Sequence, residues 1–165
     1  MIDAAGIKEL IPHRYPMLLV DRVVEVVPGE SLVAVKAVTA NEPWFDAPWY
    51  SGAVVDVADH AYPPVLLLES WCQAAGVLVS LDSPNPDVQT GRVTLFGGLR
   101  DVRFLGRARP GELLWHRVRL VRAVSDGAVV EGESVAGSGT VLQVGRVVVA
   151  LRPAVSVREE AVDAR

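Results

Sequence analysis

Cysteine is almost absent: Cys72 is the only one in 165 residues. A single thiol excludes an internal disulfide and a cysteine-built zinc site. Set in an apolar run, it reads as a small buried residue. Lysine is nearly as scarce, since only Lys8 and Lys36 occur and the remaining positive charge is arginine. No function follows from that bias. Positive charge as a whole is in deficit. The net charge is −4 and the pI about 5.4, which argues against a general nucleic-acid binder and leaves room only for a local basic patch. No signal peptide is expected either, because Met1–Leu10 is interrupted by polar residues and has no apolar core. Internal repeats and low-complexity tracts are also missing.

Apolar residues are not missing. Half of the chain is hydrophobic and 22% is charged, the balance of a globular protein with a substantial core. One domain over residues 1–153 with a charged, fraying tail at 154–165 is the simplest division. The longest apolar stretch, PVLLLESWCQAAGVLVSL at 64–81, has the length of a membrane span. Glu69 and Gln73 near its middle, and the β-rich remainder, make it a core helix instead. A soluble cytoplasmic protein with no membrane partner is expected.

Around that helix the chain reads as short helix, two strands, long loop, helix, four strands. Residues 2–10 form a short helix stopped by Pro12. Residues 18–27 and 31–39 form a hairpin around Pro28-Gly29. Residues 40–62 form an irregular loop broken by Pro43 and Pro48, with Trp44, Phe45, Trp49 and Tyr50 in it; loops of this length are usually functional or face a partner. Strands are expected at 92–104, 112–124, 128–137 and 140–151, separated by Pro-Gly, Ser-Asp-Gly and Gly-Ser-Gly turns. Arg117 and Arg119 alternate with Val118 and Leu120, and Glu131 and Glu133 share one side of the next strand, as in an antiparallel sheet covered on one face. The fold class is therefore α+β, an antiparallel sheet wrapped around a long central helix. Its unpaired edges call for a dimer.

The chemistry centres on Glu69. On a helix it shares a face with Gln73, four residues on, and both lie among Leu, Val and Trp. Burial there pushes a carboxyl pKa upward and makes it a candidate for proton transfer. The competing reading is a helix-surface Glu facing solvent, for which the neighbouring positions leave almost no polar face. His60 is the histidine nearest in sequence. It is either a general base or an ordinary loop residue. His116 reads as a sheet-face residue, and Trp71 and Trp115 as core.

Three segments carry a family resemblance. IPHRYPMLLVDRVVEVVPGESLVAVKAVTANEPWF, PPVLLLESWCQAAG and FGGLRDVRFLGRARPGELL resemble the opening run, the central-helix motif and the following strand pair of the 3-hydroxyacyl-acyl-carrier-protein dehydratases of hot-dog fold. The similarity spans about 7–151. It implies a dimer acting on acyl chains carried by the phosphopantetheine arm of an acyl carrier protein, without metal or cofactor. It also implies that a histidine of one subunit and a helix acid of the other remove water across the α and β carbons of a 3-hydroxyacyl thioester. Glu69 matches the family's acid and Gln73 its following glutamine, a substrate-side position. His13 falls in a segment that is mainly structural in the family, near the subunit contacts.

Two features depart from the family pattern. The G-H-F-P motif, whose histidine stands fourteen positions before the acid, is absent; Val55 occupies that position and His60 lies nine before Glu69. Pro64 replaces the glycine whose N–H points at the thioester carbonyl, so the N–H of Val65 is the candidate replacement. Two arrangements follow: His60 completes the site in a homodimer, or a second hot-dog subunit supplies the histidine in a heterodimer. The activities that fit are a dehydratase of fatty-acid or polyketide-type biosynthesis, a non-catalytic acyl-binding or scaffold subunit, and a hot-dog thioesterase.

Overall fold

A computed structural model describes residues 1–46, 61–89, 92–137 and 139–154. Helix α1 (Ala4–Leu10) starts where the Asp3 carboxylate accepts the Gly6 N–H at 2.9 Å, an N-cap of the ordinary kind. It ends before Pro12 and buries Ile7. Strands β1 (Arg22–Val27) and β2 (Ser31–Ala37) form the expected hairpin, with Gly29 at φ 71° in its turn. A short helix α2 (Pro43–Asp46) follows. Helix α3 (Pro64–Val79) is the central one. After it come β3 (Arg92–Phe104), β4 (Leu113–Val124), β5 (Gly127–Ala136) and β6 (Gly139–Pro153).

All six strands make one antiparallel sheet in the order β1-β2-β4-β5-β6-β3. Helix α3 lies across β2, β4 and β5 and buries Trp71, Ala74, Ala75 and Val77 completely. Its axis is fixed by Trp71, whose indole N–H donates to the Arg117 carbonyl at 3.1 Å. Gly132 makes that approach possible: a Cβ there would fall 1.9 Å from the Arg117 oxygen and 3.2 Å from the Trp71 ring. The sheet leaves β1 and β3 as its edges. Among the described residues no helix is long and apolar enough to cross a membrane.

Three expectations need correction. The first strand begins at Arg22, not at 18, because the backbone of Leu19 bonds to the Gln73 side chain rather than to a strand. Trp115 is not core. On β4, Leu114, His116 and Val118 point inward, and Trp115 stands on the outer face, 37% exposed. The expected irregular loop at 40–62 is not irregular throughout, since Pro43–Asp46 is helical and Trp44 and Tyr62 are buried edge to face, centroids 5.9 Å apart. Trp49 and Tyr50 lie outside the described residues. His116 does lie on the sheet, on its buried side, with Nδ1 2.8 Å from the Ser134 hydroxyl. Desolvation, helped by the charge of Lys36, pushes its pKa down to about 3.

Candidate active site

The head of α3 is built from two prolines. Pro63 takes the N-cap position and Pro64 the first helical one, where a missing N–H costs nothing. The N–H groups of Leu66 and Leu67 both turn back to the Pro63 carbonyl, at 3.0 and 2.9 Å. The N–H of Val65 has no such partner among the described residues, and Val65 is 69% exposed. It is an available donor at the positive end of a 16-residue helix.

Glu69 follows one turn later and is half-buried. Its Oε1 receives the Gln73 amide at 2.9 Å and lies 3.4 Å from Nε2 of His13. No hydrogen bond reaches Oε2 among the described residues. One oxygen is anchored and the other is open to a reacting group. Burial alone would raise the pKa of this carboxyl. The hydrogen bonds from His13 and Gln73 and the charge of His13 outweigh burial and hold it below the usual carboxylate range. This overturns the expected upward shift, which takes account of desolvation and not of the two donors.

Gln73 is buried, and both of its amide hydrogens are used. Besides Glu69, Nε2 donates to the Met17 carbonyl at 2.7 Å, while Oε1 accepts the Leu19 N–H at 2.8 Å. With both donors taken by the chain's own groups, Gln73 ties α3 to the 17–19 segment. The same segment brings His13 to the acid. Arg14 fixes it by donating to the carbonyls of Lys8, Ile11 and His13 at 3.0, 2.9 and 2.8 Å. The sequence assigns His13 a structural place, yet it is the described histidine that touches Glu69. The contact joins positions 56 apart in sequence, and nothing local to either residue announces it. His60 lies outside the described residues. Among those described there is no cluster of histidine, cysteine and carboxylate side chains able to hold a metal ion.

Comparison with known proteins follows the same lines. A model of the FabA-like domain matches residues 11–149. The 3-hydroxyacyl-[acyl-carrier-protein] dehydratase FabZ of Streptococcus pneumoniae (strain Hungary19A-6) is 40% identical over 145 residues, spanning 85% of this chain and 95% of the relative. Among solved structures, the dehydratase heterocomplex ApeI:P from Xenorhabdus doucetiae superposes with a TM-score of 0.66 at 18% identity, over 89% of this chain and 90% of that one. The TT0310 protein from Thermus thermophilus gives a TM-score of 0.57 at 16% identity, over 85% and 99%. The structural likenesses bear on the fold, which is the hot-dog fold. The family match and the sequence identity go further: the chain belongs to the FabA-like family of 3-hydroxyacyl-acyl-carrier-protein dehydratases.

Proposed function

We propose that this chain dehydrates a 3-hydroxyacyl thioester on an acyl carrier protein, in fatty-acid or polyketide-type biosynthesis in the cytoplasm. The observation that carries this reading is the half-anchored carboxylate of Glu69, with Oε2 open, beside the unbonded N–H of Val65. The Val65 N–H stabilises charge developing on the thioester carbonyl as the α-proton leaves. A histidine takes that proton. The C–O electron pair departs with the hydroxyl, which receives a proton from the Glu69 carboxyl and leaves as water, giving the enoyl thioester. A carboxyl held low in the resting chain must gain proton affinity for that role. Covering its exposed side with an acyl chain removes water and moves it in that direction. Gln73 and His13 hold Oε1 in place while Oε2 works.

The histidine base is His60, or it comes from a second hot-dog subunit; we favour the second, because a chain that keeps the helix acid still completes one composite site. In either case the working form is a dimer, which also covers the open β3 edge. The test is to incubate the chain with a 3-hydroxyacyl carrier protein, alone and co-expressed with a histidine-bearing hot-dog protein. Enoyl thioester only in the co-expressed sample is the expected result. Product from the chain alone, lost on His60→Ala, makes His60 the base. Free acid identifies a thioesterase, and no product in either sample leaves a scaffold subunit.

A further inference from the structure

On the outer face of the sheet, away from α3, two arginines are neutralised across strands. Arg117 on β4 stands opposite Glu133 on β5 and pairs with it at 2.9 Å. Arg119 stands opposite and pairs with Glu131. Between β3 and β6 the same face sets Arg100 directly opposite Arg146, both exposed. Neither makes an ion pair or hydrogen bond among the described residues. Like charges directly opposite on a sheet are destabilising.

The backbone beside this pair opens a concavity. Pairing of β3 with β6 slips between Phe96 and Gly98, and the Gly97-Gly98 step has no side chain to fill the space. Further along, Asp101 takes φ 55° and lies over Gly145, where a Cβ would come within 2.8 Å of the Asp101 Cβ. The result is a groove of about 440 Å³ lined by Gly97, Gly98, Leu99, Arg100, Arg146 and Val148. Val147 and Val149 point into the core on the other side, so the groove is separate from Glu69.

We propose that Arg100 and Arg146 form an anion site for a small phosphate ester. Two adjacent guanidinium forks match the oxygens of a phosphate or diphosphate, and the bound anion removes the repulsion between them. The groove is larger than a phosphate ion, and the exposed Val148 gives its organic part an apolar wall. Asp101, the neighbouring carboxylate, selects against a dianion placed on its side, so the phosphate lies toward Gly98. The assignment goes beyond the dehydration reading and does not depend on it.

Titration calorimetry of the full chain with inorganic pyrophosphate tests the site, with sulfate, adenosine monophosphate and pantetheine 4′-phosphate as further arms. Saturable binding at one site per chain is expected, weakened at least about tenfold by Arg146→Gln or Arg100→Gln and unchanged by Arg117→Gln, whose arginine already has a partner. A phosphate ester that binds tighter than pyrophosphate identifies the organic part. Arg146→Gln should also raise Tm without ligand, and pyrophosphate should raise Tm of the parent chain but not of the variant. No saturable binding in the millimolar range, sulfate binding as well as pyrophosphate, or equal weakening by Arg117→Gln would overturn the site. A raised KM for the carrier-protein substrate in Arg146→Gln, without pyrophosphate binding to the parent chain, makes this a protein-docking face and overturns it too.

Discussion

Replacing Gln73 by Leu keeps the volume on α3 and removes three hydrogen bonds at once. The Leu19 N–H and the Met17 carbonyl lose their partners, and Glu69 loses one of two groups on Oε1. Leu19 is buried, so its N–H is left without water, at a cost of about 1–3 kcal/mol. Met17 is partly exposed, and its carbonyl recovers part of its loss from solvent. Together the change should destabilise the fold by about 2–4 kcal/mol. For a chain of this length that lowers Tm by about 5–15 °C. The same variant should move the Glu69 pKa upward, because burial then opposes one hydrogen bond fewer. Carbon-detected NMR of the Glu69 carboxyl reads that directly, and calorimetry reads the Tm. A Tm within about 2 °C of the parent, with an unmoved carboxyl pKa, would refute the role given to Gln73.

Val65→Pro removes the open N–H in the first helical turn, where proline is tolerated; kcat for dehydration should fall about 10²-fold or more with Tm nearly unchanged, and steady-state kinetics beside a melting curve checks both. The buried imidazole of His116, with its pKa pushed down to about 3 from 6.5, refuses a proton that the unfolded chain accepts. Stability should therefore fall as pH drops from about 6.5 toward 3, by up to about 1.4 kcal/mol per pH unit; denaturant melts of His116→Asn should show a shallower slope over that window. Light scattering at micromolar concentration should find no monomer of 17.7 kDa; a purely monomeric chain would leave the β3 edge unexplained.

Much of the fold is legible in the sequence because its punctuation is strong. Pro28-Gly29 and Pro110-Gly111 mark their turns, and the 64–79 run has the length and apolarity of a core helix. Reading fails where a distant side chain overrides a local pattern. Residues 18–21 have strand composition, but Gln73 claims the Leu19 backbone. Trp115 reads as core by size, although it shares parity with Arg117 and Arg119, and that signal places it on the outer face. At the site, Glu69 and Gln73 are readable from helical spacing alone. The direction of the Glu69 pKa shift is not, because it depends on His13, which tertiary packing brings within 3.4 Å.

In the proposed mechanism the Glu69 carboxyl performs dehydration and is not needed for folding. Glu69→Gln keeps an acceptor for the Gln73 amide and removes the titratable group, so stability should stay within about 1 kcal/mol of the parent. The decisive measurement is enoyl-thioester formation from a 3-hydroxyacyl carrier protein by parent and Glu69→Gln chains, each assayed alone and with the histidine-bearing partner. Product is expected from the parent in at least one of these settings and none from a fully folded Glu69→Gln. Undiminished turnover by Glu69→Gln would contradict the assignment of the acid.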